Sequence, residues 1–338
     1  MYVAGIDAHA TYVVVAIVSN DGVLVQKPLR IRNTESSRLV ELLEAHSPLE
    51  VVVEASPAWP WLYELLQGPR CHFVLAHPKK LRVIAEANYK NDSIDATLLA
   101  RMRLVKLIPE VYCKPIEQRE QATLIRHRTR LVRLRTAAAS RIHAELHSLG
   151  FCLPRGHLLT APGREWVHSH AWHLLGPEQQ LLLRTHERII DGLRPMIKSL
   201  DRRIQKMGDS IPAVALLRTI PGIGPFRALL IASEALPIER FRGPQKLVSY
   251  AGLAPRSSRS GMTVRYGPIP AGANRWLRNA FVQTVVTHRQ HSPDSWLSQY
   301  YDQLKDRLDW RVARIASARK LARAVHAMLR TGEVWRHA

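Results

Sequence analysis

The sequence predicts an α/β protein whose mixed sheet comes first and whose remainder is mainly helical, and three observations predict it. Short runs rich in β-branched residues open the chain, at 2–7, 12–18 and 23–31. Helical patterns then alternate with two further apolar runs, 50–54 and 71–75, as a layered α/β domain requires. From about Glu117 onward, apolar positions recur every three or four residues, the period of a helix face.

Taken in order, Asn20-Asp21-Gly22 supplies a tight hairpin turn between the second and third runs. A helical pattern over 34–45 opens with Thr34 as its expected cap, and the strand 50–54 follows. A helix around 61–66, a strand at 71–75 and helical segments through Arg103 complete this part. Three antiparallel strands followed by alternating helices and strands describe an RNase H-like layer. Beyond it, Leu131, Leu134, Ala138, Ile142, Leu146 and Leu149 mark a long amphipathic helix, with Arg126, Arg128, Arg130, Arg133, Arg135 and Arg141 on its other faces. A second helical stretch, 177–207, can pair with it as an antiparallel hairpin or with another protomer as a coiled coil. Pro154, Gly156, Pro162 and Gly163 mark a loop between the two.

A third region starts at Ile211. Thr219-Ile220-Pro221-Gly222-Ile223-Gly224-Pro225 enters an Ala/Leu-rich helix and reads as a helix-hairpin-helix turn, in which Gly222 and Gly224 let backbone N–H groups approach a phosphate. Tyr250-Ala251-Gly252-Leu253-Ala254-Pro255 leads into a basic loop, Arg256-Ser257-Ser258-Arg259-Ser260-Gly261, and basic helices from 273 and from 310 end the chain. The expected domains are therefore 1–112, 113–210 and 211–338.

Charge separates these regions. The chain carries a formal +21, yet residues 1–110 hold 12 Lys or Arg against 12 Asp or Glu, so the whole excess lies beyond them. Such an excess points to a polyanionic partner and makes Arg126, Arg130 and Arg133 candidate nucleic-acid contacts. No apolar run reaches the ~18–20 residues of a membrane helix, and Asp7 and His9 interrupt the first run where a leader would be apolar. A cytoplasmic protein without a membrane partner is expected. Cys71, Cys113 and Cys152 are odd in number and scattered, as free thiols are.

Four carboxylates carry the chemistry. Asp7 and Glu54 fall on neighbouring strands, where a lone buried carboxylate is costly and needs a partner. Asp92 and Asp95, in Asn91-Asp92-Ser93-Ile94-Asp95, share one face at the start of a helix. Any one of them could accept a turn hydrogen bond or cap a helix. Together they suit two Mg²⁺ ions roughly 3.5–4 Å apart, the arrangement that stabilises attacking and leaving oxygens in phosphodiester chemistry. The serines read first as phosphate contacts or turn formers. One of their hydroxyls could instead attack a phosphodiester, with Arg256 and Arg259 steadying the charge. His143 with His147, and His168 with His170 and His173, lack the order of a metal site.

Gly5-Ile6-Asp7, Val53-Glu54-Ala55-Ser56, Lys90-Asn91-Asp92-Ser93-Ile94-Asp95-Ala96, Pro221-Gly222-Ile223-Gly224 and Gly252-Leu253-Ala254-Pro255 followed by Ser260-Gly261 occur in one order over nearly the whole chain. In this they resemble the DEDD transposases of bacterial insertion sequences, relatives of the Piv invertases. The resemblance implies a RuvC-like N-terminal domain, a helical coiled-coil middle and a mainly α C-terminal transposase domain with a serine nucleophile. It implies a recombinase that cuts and rejoins DNA. Asp7, Glu54, Asp92 and Asp95 would be its Mg²⁺ ligands and Ser260 its nucleophile, with Ser258 and Ser257 as neighbouring alternatives. Its implied partners are donor and target DNA, a non-coding bridge RNA that pairs with both, and further copies of the chain as a dimer or tetramer at the nucleoid. Asp7-Ala8-His9-Ala10 departs from the family's commoner Asp-Val-His-Lys opening. A metal-dependent endonuclease of the Holliday-junction type that cuts with water, and a non-catalytic nucleic-acid-binding protein, are the alternatives.

Overall fold

Residues 13–18 form an unbroken apolar run rather than an alternating one, because helices cover both faces of the strand they build. In the computed structural model, β1 (Tyr2–Ala8) and β2 (Tyr12–Ser19) pair antiparallel with Asp7 opposite Val14. β3 (Leu24–Arg32) lines the far side of β2 and is half exposed. After α1 (Ser36–Glu44), β4 (Leu49–Glu54) joins β1 in parallel. After α2 (Trp59–Leu65), β5 (Cys71–Ala76) joins β4 in parallel, and past α3 (Pro78–Ile84) and α4 (Asp92–Leu104) the two-residue β6 (Glu110–Val111) closes the edge. Among the described residues the sheet runs β3-β2-β1-β4-β5-β6. The structure describes residues 1–68, 71–84, 92–153, 156–255, 257–260, 263–267 and 272–336, and the backbone alone at 82–84, 92–94, 157, 257–260 and 263–266.

Each face of the sheet has its own helices. Leu39 and Leu43 of α1 and Leu62 of α2 pack on Ala4, Ile6, Val13, Val15, Val51 and Val53. α4 takes the opposite face, with Leu99 and Ala100 on Val3, Val52 and Val74, and Ala96 on Val14 and Ala16. Thr34 does not cap α1: it lies in a 3-10 turn, Asn33–Glu35, so the helix starts two residues later than expected and without a side-chain cap.

The chain divides into two compact units, 1–114 and 115–338. In the second, α5 (Ile116–Ser148) and α7 (Pro177–Asp209) are antiparallel. Arg128 donates to Asp201 at 2.9 Å near one end, and Gln179 donates to Glu145 at 3.2 Å near the other. Two expectations change here. Leu134 is 56 % exposed and drops out of the expected stripe, while its members Ala138, Ile142 and Leu146 are buried and Ala139 joins them. The supposed loop around Pro162 and Gly163 is a helix, α6 (Ala161–His170), capped by Thr160, whose hydroxyl accepts from Gly163 N at 3.2 Å. Proline in a helix's first turn lacks only an N–H that has no helical partner there, so Pro162 starts this helix instead of breaking it.

Next come α8 (Pro212–Arg218), α9 (Pro225–Ala235) and α10 (Pro244–Tyr250). α11 (Arg275–His291), α12 (Trp296–Lys305) and α13 (Trp310–Thr331) end the unit. α9 is buried from Ala228 to Ala235 and packs in one core with Leu217, Leu247, Phe281 and Leu321. The serine loop is a β-hairpin, β7 (Ser257–Ser260) with β8 (Thr263–Tyr266). Thr263-Val264-Arg265-Tyr266 has strand-forming residues that offer the serines a ladder, a signal outweighed in the sequence by Ser and Gly. No helix among the described residues is long and apolar enough to cross a membrane.

Candidate active site

Asp7 and Glu54 are neighbours because two strands end together. The parallel ladder of β1 and β4 runs from Tyr2 opposite Leu49 to Ile6 opposite Val53, so the next residue on each strand is a carboxylate. Side chains alternate along a strand, which puts Asp7 on the same face as Gly5, and Glu54 on that of Val52. That is the face α4 covers. α4 approaches β1 so closely that a Cβ on Gly5 would overlap the Ala96 carbonyl oxygen and lie 2.7 Å from the Ala100 nitrogen.

The direction of α4 decides where its acids go. Near its C-terminus Arg103 Nε donates to Glu50 Oε2 at 2.6 Å, and Glu50 is the second residue of β4. The helix therefore runs against β4. Eight residues of helix separate Asp95 from Arg103, about 12 Å at 1.5 Å each, and four residues of strand separate Glu54 from Glu50, about 13 Å at 3.3 Å each. Asp95 is thus level with Glu54, at the strand ends. Asp92 opens the same helix one turn earlier, and its side chain lies outside the described residues. Among the described residues no three His, Cys, Asp or Glu side chains group closely enough to hold a metal ion. The carboxylates present are hard oxygen donors of the kind Mg²⁺ takes.

His9 belongs to this end of the sheet. Its Nε2 donates to Asp7 Oδ2 at 3.0 Å, its ring stacks on Tyr12 at 4.5 Å, and the Arg30 guanidinium caps Tyr12 at 3.5 Å. In the sequence His9 stands out as an interruption of the first apolar run and as part of the Asp7-Ala8-His9-Ala10 opening, neither of which pairs it with Asp7. Its position two residues past Asp7, just beyond the end of β1, is the available signal, since i and i+2 share a face in extended chain. His77 follows β5 at the same edge, and burial together with Lys80 and Lys79 holds its imidazole below the usual histidine range.

In the second unit, Ser260 is the last paired residue of β7, opposite Thr263, with Ser258 opposite Arg265 and Ser257 opposite Tyr266. Arg256 lies outside the described residues, as does the side chain of Arg259. Gly222, at φ +85°, sits in the turn before α9, where a Cβ would come within 2.9 Å of Thr287 and His288 of α11. Its carbonyl accepts from Arg227 at 2.7 Å and from Thr287 at 3.0 Å, so this glycine packs inward. Gly224 is the open one and precedes the N-terminus of α9. Arg130 and Arg133 are exposed on α5, whereas Arg126 reaches inward to Glu234 at 3.2 Å. Arg126 and Arg133 both lie over the Trp276 ring, at 5.9 and 5.7 Å.

Both ends of this arrangement match known sequences. The family model described as "Transposase IS116/IS110/IS902 family" matches residues 214–302, and an IS110-type DEDD transposase model matches 4–150. The transposase for insertion sequence element IS1328 of Yersinia enterocolitica is 28% identical over 306 residues, covering 88% of this chain and 89% of that protein. The transposase for insertion sequence element IS1111A of Coxiella burnetii is 25% identical over 296 residues, 85% of this chain and 79% of that protein.

Proposed function

This chain belongs to the DEDD transposases of the IS116/IS110/IS902 family, and from that premise we propose that it moves an insertion sequence by cutting and rejoining DNA with two sets of residues. Asp7, Glu54, Asp92 and Asp95 form a RuvC-like metal site, and Ser260 is the nucleophile. Divalent metal goes with the DEDD family; here two Mg²⁺ ions, when bound, would polarise the scissile phosphate and offset charge on the departing oxygen. The single observation that carries this reading is the register of α4, which sets Asp95 level with Glu54 beside Asp7.

The residues then divide the work. Asp7, Glu54, Asp92 and Asp95 would hold the ions, which would supply charge to orient the phosphate, and the His9 Nε2–H holds one oxygen of Asp7 in place. Ser260 Oγ replaces a sugar oxygen on phosphorus. Its proton leaves, the departing oxygen gains one, and the number of phosphoester bonds is unchanged, so rejoining needs no outside energy source. Arg256 precedes the serines in sequence and Arg259 lies next to Ser260, and both suit the charge that develops. Exposed Arg130 and Arg133, with Gly224 ahead of α9, suit phosphate contacts. Guidance by a non-coding bridge RNA and assembly as a dimer or tetramer extend the proposal from family resemblance, and the basic second unit has charge for both nucleic acids.

A recombination assay with the element's own ends tests it. Ser260→Ala and Asp95→Asn should each abolish product while leaving DNA binding in place. Strand cleavage by Ser260→Ala without a protein–DNA link would favour a water-using nuclease.

A further inference from the structure

Among the described residues Glu234 is the only buried carboxylate, 1 % exposed on α9, whose buried stretch 228–235 is otherwise apolar apart from Ser233. A carboxylate taken from water needs charge and hydrogen bonds in its place. Arg126 of α5 donates to Oε1 at 3.2 Å and Asn274 Nδ2 donates to Oε2 at 2.8 Å. Arg240 donates to the Glu234 main-chain carbonyl at 2.5 Å and lies 4.9 Å from the Tyr250 ring.

Asn274 is where the hairpin's two feet meet. Its backbone N–H donates to the Tyr250 carbonyl at 2.8 Å, and its Nδ2 lies 3.2 Å from the Tyr250 hydroxyl, so the residues leaving the hairpin are tied to those entering it. Its Oδ1 accepts from the Trp276 and Leu277 amides, both at 3.0 Å, and so caps α11. With that oxygen committed to the cap, the amide nitrogen must face Glu234. Arg278 reaches the Ala251 carbonyl at 3.4 Å and Arg319 the Leu253 carbonyl at 3.0 Å, fixing the incoming foot further.

We infer that Glu234 is a positioning residue for the serine hairpin: through Asn274 it holds the two feet in register and so sets where β7 presents Ser260. The catalytic part of this inference rests on the nucleophile reading above. Two variants address it in the full chain with duplex DNA carrying the element's ends and its adjoining RNA. Glu234→Leu removes the acceptor, and Asn274→Asp keeps the α11 cap but removes the donor. Both should slow single-turnover formation of the covalent protein–DNA adduct by about 100-fold at unchanged DNA affinity, since small misplacements cost that much. Hairpin amides 257–266 should exchange about 10-fold faster in both, with the α9 core amides unaffected. Glu234→Gln, which keeps an oxygen for Asn274, should restore both readouts. Wild-type hairpin exchange in both variants, or a Gln variant as impaired as the Leu variant, would overturn the inference. Adduct formation by Ser260→Ala would overturn the nucleophile reading alone, because the exchange rates report hairpin positioning without it.

Discussion

Gly5 lets α4 rest on β1 because only a hydrogen fits between the strand and the Ala96 carbonyl. Gly5→Ala should therefore lift the helix, lower stability by about 1–3 kcal/mol in urea denaturation, and abolish cleavage. At the other end of the helix, Arg103 beside Glu50 holds that carboxyl below its ordinary value of 4.5 against the opposing effect of burial. A depressed carboxylate pKa adds stability that is fully present above the ordinary value and is lost as pH falls through the folded one. Stability of the first unit should drop below about pH 4.5, and Arg103→Met should remove this pair's share of the drop. Burial pushes the Cys71 thiol up to about 11, so at pH 8 iodoacetamide should label exposed Cys152 well before Cys71, as peptide mass mapping can show. Individual residues differ in how far the sequence exposes them. Asp7 and Glu54 stand out as acids at the ends of apolar runs. His9 and Glu234 do not, because their meaning lies in partners that only the folded chain brings near.

Elements defined by a single period were legible, and those that depend on a partner were not. β1 to β5 follow from their apolar, β-branched runs and the helix ending at Thr331 from its spacing, whereas the two-residue β6 carries no such signal. Along α5 the spacing offers several apolar stripes, and α7 chooses among them by presenting Leu183, Ile190, Ile197 and Ile204 at intervals of seven. Leu134 then falls outside the seam. Ile142→Ala should cost about 2–4 kcal/mol in thermal or urea unfolding, whereas Leu134→Lys should change stability little. The serine hairpin escaped sequence reading for a related reason. Serine and glycine favour turns locally, and a ladder with residues 263–266 overrides that preference.

The near-neutral first unit and basic second unit, visible in composition before any fold is known, fit the proposal that the nucleic-acid grip lies mainly in the second unit. Exposed Arg130 and Arg133 should each contribute to backbone binding, so Arg130→Ala and Arg133→Ala should each reduce the slope of log affinity against log salt by about 1 on a random duplex. Peptide mapping of trapped protein–DNA adduct is the most direct test of a metal-dependent carboxylate site that works with Ser260. A nucleotide-bearing phosphoserine at Ser260 is expected when Mg²⁺ is present, and none with a chelator or with Asp95→Asn. An adduct on another residue, or one that forms equally well without divalent metal, would contradict it.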